Sequence, residues 1–289
     1  MNIEGHNKMN SSNQDKVECH ITYNPNVALE FFKLFGSVES AKAGETFFVS
    51  GQKPSFFSFL QTDKTYLLLD GTVTVQTASG SLINLESGQV FGEFTPYTAN
   101  NATATAGTPC KLVALSEKQF IASLKKQPTF LFMLMDVLIR TLPKIGTATK
   151  NTPPPDNKSS KNSNVLSTEM LNTLKQKLGE NALMKVPEKR VVFHEGAAAL
   201  LMYVILEGQM AISINNKVVG HSGVGDIVGE IALVARRRAR TASVIAETRC
   251  LLLAIDRQIL PELIQSLPTF GISLLRVLDA HLNAIKRNL

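Results

Sequence analysis

At 289 residues and 44% hydrophobic content the chain has enough apolar material for real cores, and a prior of ~100–200 residues per domain predicts about two of them. Three cysteines cannot all pair, which excludes a fully disulfide-stapled scaffold and fits a reducing, cytoplasmic setting. The net charge of +6 invites a nucleic-acid partner, a possibility taken up below against the place where the positive residues cluster.

The segment Met1 to Lys16 is polar and has no positively charged start followed by an apolar core, so no signal peptide is expected. Residues 1–23 read as a flexible N-terminus. Apolar residues recur at helical period from Asn26 to Phe35, predicting a helix packed ahead of the first domain. No segment approaches the ~20 apolar residues of a membrane span. The richest, Phe130 to Ile139, contains Asp136, and a soluble chain with no membrane partner is expected.

The chain repeats itself. Asp70-Gly71 matches Glu207-Gly208 and Gly92-Glu93 matches Gly229-Glu230, both at an offset of 137. Further on the offset is 140, pairing Cys110 with Cys250 and Pro128-Thr129-Phe130 with Pro268-Thr269-Phe270, so the second copy is three residues longer in between. Duplication at this scale means two successive domains. Residues 24–146 and 165–289 are the expected domains, and 147–164, polar and proline-bearing, are the linker between separable units. Each copy ends in a helical pattern: Phe130, Leu134, Val137 and Leu138 in the first, and Phe270, Leu274, Leu275, Leu278, Leu282 and Ile285 in the second.

In the second copy, Val191 to Phe193 and Tyr203 to Leu206 read as short strands. Turns are expected at Glu195-Gly196, Glu207-Gly208, Asn215-Asn216 and Gly223 to Asp226, a jelly-roll pattern. Then follow Gly229-Glu230-Ile231-Ala232-Leu233 and, after a basic stretch, Arg240-Thr241-Ala242-Ser243-Val244. Small residues after Gly229 let backbone N–H groups at a helix start approach an anion closely, and Arg240 can clamp a phosphate through two donors. Glu230 is an acceptor for a hydroxyl.

This order of strands, HEG, LEG and GD turns, GEIAL and RTAS resembles the cyclic nucleotide-binding domain of the bacterial catabolite activators and the eukaryotic cyclic-nucleotide-dependent kinases, and Arg240 to Thr248 is especially similar to the kinase regulatory version. The resemblance implies a mainly β fold with flanking helices: two tandem jelly rolls, or double-stranded β-helices, each ending in an α-helix. It implies a site formed by Gly229, Glu230, Ile231, Ala232, Arg240 and Thr241 for cyclic AMP or cyclic GMP, with no cofactor and no metal. Thr241 suits either nucleotide, since its hydroxyl contacts guanine in some family members and is equally able to meet phosphate. In the family the terminal helix covers the base or forms a subunit interface; packing on its own barrel is the plainer alternative.

The first copy departs from the pattern. Asn100 and Asn101 stand where Arg240 and Thr241 stand in the second, Pro96 removes a backbone donor, and Pro96 to Thr103 carries no positive charge. It is expected to be a degenerate, structural copy, the rival being a pocket for a different ligand. The run Arg236-Arg237-Arg238 falls inside the phosphate-binding segment, whose own chemistry asks for positive potential, which weakens the nucleic-acid reading. The DNA-binding members carry a helix-turn-helix after the terminal helix, and with the chain ending at Leu289 no such module is expected. RRRARTAS also resembles a basophilic kinase site, for which a serine in a buried strand is a poor substrate. The histidines at 6, 20, 194, 221 and 281 are not paired at metal-ligand spacing, and no catalytic motif occurs, so an enzyme is not expected. The expected function is a cyclic nucleotide sensor read out through its terminal helix to a protein partner or by self-association; the alternative is a structural or assembly protein with vestigial pockets.

Overall fold

The computed structural model describes residues 23–51, 64–78, 80–140, 166–234 and 239–287. The expected N-terminal segment 1–22, the linker 147–164 and Arg236-Arg237-Arg238 lie outside these residues.

The first repeat opens with helix α1 (Pro25–Lys33), one residue earlier than the pattern suggested, because Asn24 caps it by accepting from the Asn26 amide at 2.9 Å. Eight strands follow: β1 (Ser37–Ala41), β2 (Thr46–Phe48), β3 (Lys64–Asp70), β4 (Val73–Thr77), β5 (Leu82–Leu85), β6 (Val90–Gly92), β7 (Ala102–Ala106) and β8 (Cys110–Ser116). Helices α2 (Glu117–Lys126) and α3 (Phe130–Arg140) close the repeat. The second opens with α4 (Thr168–Leu178) and continues through β9 (Leu183–Val186), β10 (Val191–Phe193), β11 (Leu201–Glu207), β12 (Met210–Ile214), β13 (Lys217–Ser222) and β14 (Ile227–Val228). Then come a short helix α5 (Glu230–Val234), β15 (Ser243–Ala246), β16 (Cys250–Asp256), α6 (Leu260–Ser266) and α7 (Pro268–Arg287).

The strand order β1-β8-β3-β6 and β2-β7-β4-β5 in the first repeat recurs as β9-β16-β11-β14 and β10-β15-β12-β13 in the second. Adding eight to each strand number maps one barrel onto the other. The fold is mainly β: four antiparallel sheets forming two jelly rolls, with seven flanking α-helices among the described residues. The expected turns are present. Asn215 and Asn216 both have positive φ, the requirement of a two-residue hairpin between β12 and β13, and Gly196, Gly208 and Gly225 lie in the same region.

The central strands read as unbroken apolar runs because both their faces are covered. In β3, Tyr66 and Leu68 point into the first barrel and Leu67 into a helical core outside it. In β11, Tyr203 and Ile205 face the second barrel while Met202 and Val204 face that same helical core. This outer core is continuous between the repeats: Phe31, Phe120, Phe130 and Leu134 belong to it together with Phe270, Leu274, Leu278 and Leu282. Helix α3 packs against α7 and against α5, and α2 packs against α6 and α7. The two terminal helices therefore pack on one another across the repeats, an arrangement that the expectation of separable units did not contain. Among the described residues no helix is long and apolar enough to cross a membrane.

Gly71 and Gly208 mark the duplication at atomic level. Both have φ near +90°, and a Cβ on either would meet the carbonyl oxygen just before the matching cysteine, at Pro109 and Arg249. Gly44 has a similar φ of +83° but open space around it. Gly44→Ala is thus expected to cost about 1 kcal/mol, for the left-handed backbone alone. Gly208→Ala should cost about 1–3 kcal/mol more as the Arg249 backbone is forced away. Denaturant unfolding of both variants checks this, and equal losses would show that the backbone at 249 gives way freely.

Candidate functional site

The second repeat places Gly229 at the end of β14 with φ +85°, and the chain turns directly into α5. A Cβ at 229 would collide with Nη1 of Arg240, so only glycine lets the arginine approach this backbone. The Arg240 main chain is fixed by the loop after β10: its amide donates to the Ala197 carbonyl at 2.8 Å, and its carbonyl accepts from Gly196 at 2.9 Å. Its side chain is 5% exposed. Nη1 donates to the Gly229 carbonyl at 3.2 Å and Nη2 to the Leu201 carbonyl at 2.7 Å, while Nε is buried with no hydrogen-bond partner. The guanidinium lies 3.9 Å over the Phe193 ring, which itself stacks on Tyr203.

No carboxylate among the described residues stands at ion-pair distance from Arg240. Burial pulls the guanidinium below its ordinary value, and the neighbouring Tyr203 hydroxyl and Glu230 carboxylate offset part of that. The group nevertheless stays protonated, as arginine does throughout proteins. The site thus holds a buried cation met by carbonyl dipoles, with no carboxylate among the described residues in direct contact with it.

Glu230, at the first position of α5, is 3% exposed. Its Oε1 accepts from Nδ1 of His281, on α7, at 2.7 Å. Burial acts to lower the imidazole's pKa, but the Glu230 charge, this hydrogen bond and the Asp226 charge outweigh it and raise the value above the ordinary 6.5. Burial pushes the Asp226 carboxyl up as well, against the Gly223 amide that donates to it at 2.8 Å. Neither Glu230 nor Arg240 is a surface residue.

Of the six residues expected to form the site, Gly229 and Arg240 are in direct contact, and Glu230, Ile231 and Ala232 begin α5 beside them; the side chains of Glu230, Ile231, Ala232 and Arg240 are buried. Thr241 follows Arg240 on an exposed bend. Sequence reasoning missed His281, the Phe193 ring and the Leu201 carbonyl. His281 had one local signal: it falls three residues after Leu278, on the apolar stripe of α7. The serine of RRRARTAS, Ser243, opens β15 and is partly exposed, and its hydroxyl accepts from the Glu195 amide at 2.9 Å.

The equivalent segment of the first repeat is built differently. Gly92 has φ +90°, but a Cβ there would meet the Lys64 carbonyl and the Tyr66 ring instead of a guanidinium. No helix follows; the chain closes on itself as Asn101 Nδ2 donates to the Pro96 carbonyl at 3.0 Å and the Thr98 amide donates to Asn101 Oδ1 at 3.0 Å. Asn100, at the position of Arg240, is exposed. Phe94, the counterpart of Ile231, packs on Phe120 at 4.8 Å between ring centroids, and Arg276 of α7 lies 5.5 Å above it.

Residues 183–266 match the family model of the cyclic nucleotide-binding domain, and this segment of the chain is a domain of that family. The cAMP-activated global transcriptional regulator CRP of Salmonella typhimurium is 30% identical over 101 residues, 33% of this chain and 48% of that protein. The chain thus spans about half the length of the curated relatives it matches. Among solved structures, the regulatory domain of Toxoplasma gondii PKA with cAMP aligns over 85% of this chain and 88% of its own, at 18% identity and a TM-score of 0.29. The c-di-GMP responsive global regulator CLP of Xanthomonas campestris aligns over 41% of this chain and 60% of its own, at 24% identity and a TM-score of 0.35.

The raised imidazole value has a definite sign. The stabilisation from the His281–Glu230 pair is fully present below about pH 6.5 and is lost as pH rises through the higher folded-state value. An NMR titration is expected to find His281 above 6.5 in the wild type. In Glu230→Gln it should fall, since burial then acts with only the Asp226 charge against it. An unshifted histidine in the wild type would rule out the pair in solution.

Proposed function

We propose that the chain is a cyclic nucleotide sensor whose second repeat, within residues 165–289, takes one cyclic AMP or cyclic GMP, and whose first repeat, within 24–146, takes neither. The observation that carries this reading is the buried Arg240 guanidinium with an unpaired Nε and no carboxylate partner among the described residues. A buried charge left without a counter-ion is costly, and a ligand phosphodiester beside Gly229 supplies the missing anion. The amides of Ile231 and Ala232 are the further donors on that side, and Glu230 is the acceptor for the ribose 2′-hydroxyl. The family assignment of 183–266 supports the same chemistry. The protein acts by binding and not by catalysis, and its output goes to a protein partner or to self-association through the helices.

A second reading draws on the occupied state of the two groups. Arg240 already donates to two carbonyls and Glu230 already holds His281, as in an assembly protein whose pocket has become structural. Titration calorimetry separates the two. The sensor reading expects a stoichiometry of one per chain and a loss of about tenfold or more in affinity for Arg240→Ala, from the missing charged hydrogen bonds. Absence of binding would leave the assembly reading, and equal affinity in the variant would sink the clamp role of Arg240.

A 2′-deoxy cyclic nucleotide tests the other end of the site. It should bind wild type poorly and lose little more in Glu230→Gln, because both changes remove the same contact. Losses that add would show that Glu230 does not meet the hydroxyl.

A further inference from the structure

We propose that His281 is a proton-dependent latch on the nucleotide site: it holds α7 across Glu230 in the unliganded chain, and cyclic nucleotide must release it to reach that carboxylate. The inference rests on the reading of the site given above and adds a residue that sets its affinity. Three observations carry it. The Glu230 carboxylate is 3% exposed, so it is reached only if something covering it moves. What holds its Oε1 is the His281 imidazole at 2.7 Å, from a different element 51 residues away in the sequence. The imidazole is 30% exposed, open enough to exchange its proton with solvent.

The charges around His281 set the direction. Glu230 faces it from α5 and Asp226 from the turn between β13 and β14, and both favour the imidazolium. Helix α3, packed on α7 and α5, brings Asp136, but that carboxylate is held by Arg140 Nε at 2.6 Å. Helix α2 brings Glu117, which is held by Arg276 at 3.1 Å, and Glu262 on α6 is exposed. The proton on His281 therefore strengthens the latch. Releasing Glu230 to a ribose hydroxyl releases the proton with it, so affinity for nucleotide should rise with pH until His281 is neutral.

The latch also has a lever. Arg276, earlier on the same helix, contacts Glu117 and lies over Phe94 in the first repeat, so α7 stays attached there when His281 lets go. The helix then turns about its first-repeat end.

The test is calorimetry of cyclic AMP and cyclic GMP on the full chain between about pH 6 and pH 9, a range that spans the histidine titration. Wild type should bind more tightly as pH rises. His281→Ala should bind about tenfold more tightly than wild type at the acid end, the size of one charged hydrogen bond, and show no slope. His281→Gln keeps a donor but cannot titrate, and should be flat at intermediate affinity. NMR of wild type should show the His281 value falling on saturation with nucleotide. If wild type binds, and Arg240→Ala weakens it, while the His281 variants match wild type at every pH or bind less tightly, the latch is wrong and the site reading stands. If neither wild type nor His281→Ala binds either nucleotide, both fall.

Discussion

The constraint on which the architecture depends is that each barrel has one sheet too apolar to face water. Leu67, Val113 and Leu115 on the first barrel, and Met202, Val204, Leu253 and Ile255 on the second, all point away from their own interiors. These faces are covered by one shared layer in which α3 and α7 pack on each other. Interiors packed to crystal density do not deform gradually. A shift of α7 at one barrel is therefore felt by α3 and by the first repeat, which gives that copy a mechanical place in the molecule.

The two repeats begin their phosphate segments identically and then diverge for a structural reason. Gly229 and Gly92 share a left-handed backbone, yet the space beside the first admits a guanidinium and the space beside the second is filled by Lys64 backbone and the Tyr66 ring. The three missing residues remove the turn of helix, and Pro96 to Asn101 spend their polar groups on one another. The first copy is a rebuilt loop and not a site lacking only its arginine. Its Phe94 has been turned toward the helical layer, where it meets Phe120 and Arg276.

Much of this was legible because it is local. Central strands such as Leu201–Glu207 stand out as unbroken apolar runs bounded by turn residues, and the paired asparagines of the hairpin turn and the glycines at 71 and 208 are set by backbone conformation, which a few neighbouring residues determine. The offsets of 137 and 140 between copies carried the register of β3 against β11 and of β8 against β16. The short helices α2, α4 and α6 were not foreseen, since each has a narrow apolar face that tertiary packing, more than propensity, stabilises. At the site, spacing brought Gly229, Glu230 and Arg240 together because they lie within one loop. The acceptor at Leu201 and the donor at His281 are 39 and 51 residues away from their partners, and only the closed barrel and the return of α7 bring them in.

The two buried charges, each already partnered, would let such a site report on a ligand. Arg240 is compensated by two carbonyls and Glu230 by His281, so the proposed nucleotide binding would be an exchange of partners on both sides. The net affinity is the difference between similar interactions, and it can be modest even where each new contact is strong. The two sides differ in what they displace. At Arg240 the partners are the backbone of Gly229 and Leu201, pinned within the barrel, so exchange there adds affinity without moving an element. At Glu230 the partner is a side chain of α7, and losing it releases a polar attachment of that helix. On this reading the phosphate end supplies the affinity and the ribose end supplies the difference between conformations that any signal requires.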